Sequence, residues 1–307
     1  MRNAKFYCPV VTAFDADGNL DLPANRAIWE RLIAGGIDGI VLMGSTGEFF
    51  AMTTAQKEAL IDAATACLKG RIELIVGTAA MRVDETVALS NYALRAGADA
   101  VMIIGPYYFA LDEASVEAYF REVASQVVGD IYLYNFPDRT GYDLTPATTA
   151  KLAKQFPNIV GYKDTLFTVN HTRKLLTTVL PVRPDFKVLA GFDEFLHRAV
   201  TSGAVGAIGA ISNLYPAVCA DYAAAVRDGD ADRIEAYQRI IDIAMDIYAI
   251  GTPFVPILKK AMVLKGVPMS EHCLAPVQSA TEAQTAQVRN LLDRIDAAVA
   301  AVPNGTR

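Results

Sequence analysis

Eight short, almost uninterrupted apolar runs alternate with longer amphipathic segments along this chain. Several runs are nearly continuous Val, Ile and Leu, which is typical of parallel strands buried on both faces. The runs cover residues 7–11, 39–43, 73–77, 100–104, 131–135, 159–163, 187–190 and 206–209. The segments with helical periodicity cover residues 23–34, 54–68, 84–96, 113–128, 146–155, 169–179 and 192–202. Eight strands, each followed by a helix, predict an α/β fold of the (β/α)8 TIM-barrel type.

An internal repetition supports this architecture. Residues 34–41, 96–102 and 202–208 are variants of one pattern, in which small residues and glycine precede a buried strand. Each copy is typical of a helix that ends at a glycine cap and turns tightly into the next strand. A doubly wound open sheet is the alternative, but it would need a phosphate-binding GxGxxG near its start, and the sequence has none there.

The strand pattern ends after Pro216, and only helical segments follow. They cover residues 216–228, 231–250, 254–266 and 281–302. The first completes the helix ring of the barrel, and the other three predict a small C-terminal helical domain. We therefore expect a barrel catalytic domain over residues 1–228 and a helical domain over residues 229–307.

Charge and composition exclude several classes of function. The net charge is −6 without a basic run, which argues against nucleic acid and anionic membrane surfaces as partners. The four cysteines lack CxxC spacing and the three histidines are isolated, so we expect no metal and no disulfide framework. The N-terminus has no apolar signal core and no run approaches the ~18 residues of a membrane span, so we expect a cytoplasmic protein.

Lys163 lies where the apolar run at 159–163 ends, in the stretch Gly161-Tyr162-Lys163-Asp164-Thr165. Lysine is a nucleophile only as the free amine, which requires a desolvated position or a cationic neighbour. The end of a buried strand offers such a position. The alternative is a lysine whose ammonium group simply reaches solvent from a strand end.

Other chemical groups fall at the ends of neighbouring strands. The turn GSTGE at 44–48 combines two hydroxyls with glycines, which can expose backbone N–H groups to a carboxylate. Tyr108 follows the fourth strand. Tyr134 lies near the end of the fifth strand, and Arg139 follows it. Each feature also has a purely structural interpretation: an ordinary turn, core tyrosines with a hydrated hydroxyl, and a surface arginine.

These groups together favour Schiff-base chemistry, because carboxyl ends of the strands carry the active site of a barrel. The turn at 44–48 would hold the carboxylate of a 2-keto acid, Lys163 would condense with its ketone, and phenols and hydroxyls would relay protons. A protonated imine is an electron sink, so the covalent lysine imine would replace a cofactor.

The chain resembles the pyruvate-dependent class I lyases that include dihydrodipicolinate synthase and N-acetylneuraminate lyase. The resemblance covers nearly the whole chain. It is carried by GSTGE at 44–48, PYY at 106–108, YNFPDRTG at 134–141, GYKDT at 161–165 and GFDEF at 191–195.

This resemblance implies a role for each matching residue. Lys163 would form the imine, Tyr134 would shuttle protons, and Ser45 and Thr46, with Gly47 in the same turn, would bind the pyruvate carboxylate and extend the relay. Tyr108 would reach into a neighbouring subunit's site, which implies a homodimer or homotetramer. The remaining substrate-binding positions implied are Arg139, Gly191, Ile208, Asp193 and Glu194.

Two substrate classes compete. Arg139 matches the arginine that meets the aldehyde's carboxylate in dihydrodipicolinate synthases, so the first expectation is an aldehyde with a carboxylate, such as aspartate semialdehyde. The alternative is a 2-keto-3-deoxy sugar acid, because residues 134–137, 252–255 and 262–266 resemble 2-keto-3-deoxygluconate aldolases. Ala210 stands where sialic acid lyases have a serine, which argues against sialic acid as the substrate. A metal-dependent aldolase and a non-catalytic keto-acid-binding protein are the remaining alternatives.

Overall fold

The computed structural model describes residues 3–302 and contains a closed barrel of eight parallel strands, paired in chain order from β1 to β8. Residues 1, 2 and 303–307, the outer ends of the two predicted domains, lie outside the described residues. The strands are β1 Lys5–Pro9, β2 Gly39–Leu42, β3 Glu73–Gly77, β4 Ala100–Ile104, β5 Ile131–Asn135, β6 Ile159–Asp164, β7 Lys187–Ala190 and β8 Gly206–Ile208. The predicted (β/α)8 barrel is confirmed.

Helices separate the strands, and within the described residues four α-helices and two 3-10 turns follow β8. The α-helices are α1 Leu22–Ala34, α2 Thr54–Leu68, α3 Val83–Ala96, α4 Glu113–Gln126, α5 Pro137–Thr140, α6 Pro146–Gln155, α7 Val169–Val179, α8 Leu196–Thr201, α9 Pro216–Asp228, α10 Ala231–Met245, α11 Val255–Leu264 and α12 Glu282–Ala300. Short 3-10 turns cover Ser45–Gly47, Phe49–Ala51, Asp193–Phe195, Ala210–Asn213 and Asp246–Ala249.

The largest departures from the sequence prediction occur where tertiary pairing sets an element's end. β1 begins at Lys5 rather than residue 7, because Lys5 pairs with Gly206 and closes the barrel. The helix predicted at 192–202 is a 3-10 turn followed by the short α8. The segment at 137–140, for which the sequence pattern predicts no helix, forms the single helical turn α5, with Pro137 in its first turn and Gly141 at φ 80° after it.

A register shift in β6 decides which of its side chains enter the barrel. Ile131 pairs with Ile159, but Tyr132 pairs with Gly161, so one extra residue is accommodated between them. A Cβ at Gly161 would lie 2.4 Å from the ring of Tyr132, so only glycine leaves room for this aromatic side chain. From this point the alternation places Gly161 and Lys163 on one face, and Tyr162 and Asp164 on the other.

The first helix after β8 packs on the barrel, and the later helices pack on it and on one another. Helix α9 packs against β1 and α8 and completes the helix ring, and α10 packs on α9. Helix α12 packs against both α10 and α11. Within residues 3–302, no helix combines the length and the apolar character that crossing a membrane requires.

Candidate active site

A cavity of about 500 Å³ opens at the carboxyl ends of the barrel strands, and Lys163 is part of its lining. The side chain of Lys163 is almost enclosed, since the residue is only 6% exposed. Among the described residues, no carboxylate forms an ion pair with it. Lys163 is therefore an amine held inside a substrate-sized space, which excludes the interpretation of a lysine reaching bulk solvent from a strand end.

Tyr134 lies beside Lys163 because their strands are in register. Tyr134 of β5 pairs directly with Lys163 of β6. The Lys163 Nζ lies 4.4 Å from the centroid of the Tyr134 ring. Tyr134 also lines the cavity. Neighbouring in-register strands thus bring together the amine and the phenol that the sequence singled out.

The turn Ser45–Gly47 forms another wall, and the backbone around it is strained. Met43 and Glu48, which flank the turn, have φ values of 54° and 57°, a region that non-glycine residues seldom adopt. The bend at Met43 is possible because β3 ends in Gly77, where a Cβ would lie 2.3 Å from the Met43 carbonyl oxygen. Such strain is typical of functional sites.

Within this turn, Ser45 and Thr46 line the cavity but Gly47 does not. The Gly47 N–H donates to the Gly44 carbonyl at 2.9 Å, and its own carbonyl accepts from the Thr12 hydroxyl at 2.8 Å. The first N–H groups of a helical turn have no partner within it, so Ser45 and Thr46 carry the amides suited to a carboxylate. The expectation that Gly47 binds substrate is corrected: Gly47 shapes the turn.

Arg139 reaches the cavity from α5. Its guanidinium carbon lies 5.1 Å from the centroid of the Phe136 ring, a cation–π contact that orients the side chain. Within residues 3–302, Arg139 forms no ion pair, so its charge is available to an anionic or strongly polar ligand. Asp138, the preceding residue, also lines the cavity.

Gly191, Ile208 and Glu194 complete the predicted lining. Gly191 follows β7, and a Cβ there would lie 1.9 Å from the Thr165 hydroxyl oxygen, so the close approach of these two strand ends requires glycine. Burial, reinforced by the charge of Asp242, raises the pKa of the Glu194 carboxyl. Glu194 therefore supplies a partly desolvated acceptor facing the cavity.

Asp193 is the clearest correction to the predicted site. Its carboxylate is fully buried and lies under Gly209 rather than in the cavity. One oxygen accepts from the Ile211 N–H and the other from the Tyr248 hydroxyl, both at 3.1 Å. Burial raises the pKa of Asp193 to about 6. Asp193 thus organises the chain after β8 and does not reach substrate.

Tyr108 does not line the cavity of its own chain. It projects from the segment after β4, is 80% exposed, and packs edge-on against Phe109, which is also exposed. This placement brings Tyr108 to the surface, so any role in catalysis would be in another subunit.

The sequence prediction missed the outer wall of the cavity. This wall is built by aromatic residues after β6 and β7 and by the segment following α10. Its members are Phe167, Phe192, Met245, Tyr248, Ala249, Gly251, Thr252 and Phe254. The sequence signal for this wall was the break at Gly251-Thr252-Pro253, because it interrupts the helical pattern and indicates a loop, and loops form the mouth of a barrel.

No group of three or more His, Cys, Asp or Glu side chains in residues 3–302 is arranged to hold a metal ion. The four cysteines are free thiols.

The profile of the dihydrodipicolinate synthetase family matches residues 3–295. The chain belongs to this family. Relatives of the chain are named as aldolases and synthases, so the chain is a carbon–carbon or carbon–oxygen lyase of the class I pyruvate aldolase type. The predicted resemblance is confirmed.

Relatives of two activities are similar to the chain over most of its length. Escherichia coli YagE, provisionally named a 2-dehydro-3-deoxy-D-gluconate aldolase, is 39% identical to this chain. The aligned residues make up 94% of this chain and 95% of YagE. Escherichia coli YjhH, provisionally named a 2-dehydro-3-deoxy-D-pentonate aldolase, is 38% identical, with 92% and 94% covered. A 4-hydroxy-tetrahydrodipicolinate synthase of Streptomyces coelicolor is 33% identical, with 91% and 90% covered.

The fold of a solved relative agrees with this structure. The crystal structure of YagE in complex with pyruvate superimposes with a TM-score of 0.92 at 38% identity, covering 95% of this chain and 98% of that chain.

Proposed function

We propose that Lys163 forms an imine with pyruvate and that the enzyme makes or breaks the bond between the methyl carbon of pyruvate and an aldehyde. The observation that supports this most is the enclosed Lys163 amine against Tyr134, within one cavity that Ser45 and Thr46 also line. The pyruvate carboxylate would sit on the amides and hydroxyls of Ser45 and Thr46.

The chemistry requires protons at defined atoms. Lys163 Nζ attacks the ketone carbon, and the ketone oxygen leaves as water after receiving protons through Tyr134 and the hydroxyls of Ser45 and Thr46. The imine withdraws electrons, so the methyl carbon loses a proton and becomes an enamine. The enamine carbon then attacks the carbonyl carbon of the aldehyde, and the aldehyde oxygen takes up the proton that the methyl carbon released. Hydrolysis of the imine releases the product, and cleavage runs in reverse.

We propose a 2-keto-3-deoxy sugar acid as the substrate of cleavage, with a short hydroxyaldehyde as the second product. The similarity to YagE and YjhH supports this assignment. So does the cavity, whose lining includes Glu194 and Thr252 as hydrogen-bonding groups for hydroxyls. One observation favours the alternative, a carboxylated aldehyde: the guanidinium of Arg139 lies in the same cavity and has no ion-pair partner among residues 3–302.

Incubation with pyruvate and borohydride, followed by intact-mass and peptide analysis, tests the imine. We expect one reduced pyruvate unit on Lys163 and none in Lys163→Ala. A kinetic panel of glyceraldehyde, glycolaldehyde and aspartate semialdehyde, each with pyruvate, then tests the substrate class. We expect the hydroxyaldehydes to give the higher kcat/KM, whereas preference for the semialdehyde would favour the synthase.

We also propose that Tyr108 acts in the site of a second subunit of a homodimer or homotetramer. Its exposure beside Phe109 supports an interface at this surface. The test is to mix inactive Lys163→Ala and Tyr108→Phe subunits. In trans action restores one complete site per mixed dimer and therefore recovers activity, whereas no recovery would contradict the proposal.

A further inference from the structure

The residues that directly follow Tyr134 and Lys163 meet a single histidine behind the barrel wall. Asp164, the residue after Lys163, points out of the barrel, and its buried carboxylate accepts from the Thr172 hydroxyl at 2.6 Å. The other oxygen of Asp164 lies 2.9 Å from His171 Nδ1 in the first turn of α7. This arrangement attaches the end of β6 to α7.

The opposite side of the same imidazole is connected to β5. His171 Nε2 lies 3.3 Å from Asp143 Oδ2. The other oxygen of Asp143 accepts from the Asn135 side-chain amide at 2.7 Å, and Asn135 is the residue after Tyr134. The Asn135 side-chain oxygen in turn accepts from the Leu144 N–H at 3.0 Å. A path of hydrogen bonds and one ion-pair contact, between His171 and Asp143, therefore runs from the end of β5 to the end of β6.

The charges of this path fit a protonated ring between two carboxylates. Burial alone would lower the pKa of His171, but the adjacent carboxylates of Asp143 and Asp164 raise it to about 9. Burial alone would raise the pKa of Asp143, yet His171 holds it below its usual value. The titratable groups near the ring are Asp164 at the end of β6, Asp143 before α6 and the phenol of Tyr162. The ring centroid of Tyr162 lies 6.4 Å from that of His171.

The path has a consequence for the reacting groups. Asn135 and Asp164 are register partners, one step beyond the pair Tyr134 and Lys163. Contacts that fix Asn135 relative to Asp164 also fix β5 relative to β6. They therefore set the position of Tyr134 relative to Lys163, one residue earlier on each strand. Proton transfer is sensitive to this position, because a displacement of about 1 Å can reduce a rate a hundredfold.

We propose that His171 is a positioning residue, which joins Asp164 to Asp143 and thereby keeps Tyr134 aligned with Lys163. This inference rests on the proposed imine chemistry, since it assigns Tyr134 and Lys163 as the reacting pair. In the proposed function the pyruvate carboxylate is held by Ser45 and Thr46, which belong to the turn after β2 and take no part in the contacts of His171. Loss of His171 therefore affects the proton-transfer steps more than the affinity for pyruvate.

The kinetic test uses His171→Asn and Asp143→Asn, with Asp62→Asn as the matched control. Asp62 is an exposed aspartate that also accepts a hydrogen bond, from the Tyr92 hydroxyl at 2.9 Å, but it lies on α2. We expect His171→Asn to reduce kcat by roughly tenfold or more while the pyruvate KM changes less than about twofold. We expect Asp62→Asn to behave as the wild type.

A titration of the histidine rings distinguishes positioning from a simple contribution to folding. The sequence contains three histidines, so isotope-labelled enzyme gives three ring signals by NMR, which His171→Asn assigns. We expect the His171 signal to titrate near pH 9 in the wild type and at least about one unit lower in Asp143→Asn. The alkaline fall of kcat should move to lower pH by the same amount.

Each outcome has a defined meaning. Wild-type kcat in His171→Asn, or a kcat–pH profile of Asp143→Asn that overlays the wild type although the ring pKa has moved, would overturn the positioning role. An ordinary ring pKa in the wild type would also overturn it. If His171→Asn does not fold, the Asp143→Asn comparison alone decides. Absence of a borohydride-trapped pyruvate on wild-type Lys163 would instead refute the proposed function and leave the ring titration unaffected.

Discussion

Replacing Lys259 by Met should strongly destabilise this protein, because Lys259 forms a buried ion pair with Glu48. Their side chains are 0% and 1% exposed. Lys259 also donates to the His272 carbonyl at 2.7 Å, and Glu48 also accepts from the Leu274 N–H at 2.7 Å. The substitution leaves the Glu48 carboxylate buried without its countercharge.

The magnitude follows from this burial. Removal of one member of a buried pair costs about 3–5 kcal/mol of unfolding free energy, mostly because the remaining charge is uncompensated. For a chain of this size, each kcal/mol corresponds to about 2 °C in Tm, so we expect a decrease of roughly 6–10 °C. The double variant Glu48→Gln/Lys259→Met leaves no charge at the site of this pair. Its loss of unfolding free energy should therefore be about 2 kcal/mol smaller than the sum of the two single losses.

Urea unfolding of the wild type, both single variants and the double variant, at one protein concentration, measures this cycle. A change below about 1 kcal/mol for Lys259→Met would show that the buried pair does not stabilise the fold. Strictly additive single effects would show that Glu48 and Lys259 are not coupled. Because Glu48 ends the Ser45–Gly47 turn, Lys259→Met should also raise the pyruvate KM by more than it reduces kcat.

Three further perturbations separate the roles of neighbouring groups. Arg139→Leu should lower kcat/KM for aspartate semialdehyde by about tenfold or more relative to glyceraldehyde, since a charge-assisted contact contributes about 1.5–3 kcal/mol, and equal losses on both aldehydes would contradict this. Glu194→Gln should weaken turnover of hydroxyaldehydes, whereas Asp193→Asn should leave their relative kcat/KM values unchanged, because only Glu194 lines the cavity; steady-state kinetics checks both. The pKa of His171 is raised on folding, so its stabilisation is complete below about pH 6.5 and is lost as pH rises through about 9. Urea unfolding of His171→Asn across this range should therefore show a weaker decrease in stability than the wild type.

The strand and helix pattern could be predicted from the sequence because both signals are local. Continuous Val, Ile and Leu runs identify buried parallel strands, and β3, β4, β5 and β7 have the predicted bounds. Element ends were less predictable where a partner sets them, as Gly206 does for the start of β1. The single turn α5 is too short to show helical periodicity, although Pro137 and Gly141 mark its two ends.

The candidate site was predictable to the extent that its residues end strands. Lys163, Tyr134, Ser45, Thr46 and Arg139 all line the cavity. Glu194 and Asp193 are adjacent in the sequence, but the backbone turns one towards the cavity and buries the other under Gly209. No sequence pattern distinguishes these two carboxylates, since the difference arises from the packing of Ile211 and Tyr248 against Asp193.

The amino-acid sequence by itself determined the eightfold barrel, the strand ends that carry chemistry, and the family, because each depends on local periodicity or short motifs. The tertiary structure decided which side chains share a space. The shifted register of β6 directs Lys163 inward and Asp164 outward. Long-range contacts bring His171 and Asp143 together behind the barrel wall, and bring the segment after α10 to the cavity. Such placements depend on residues distant along the chain, so they emerge only when the barrel closes.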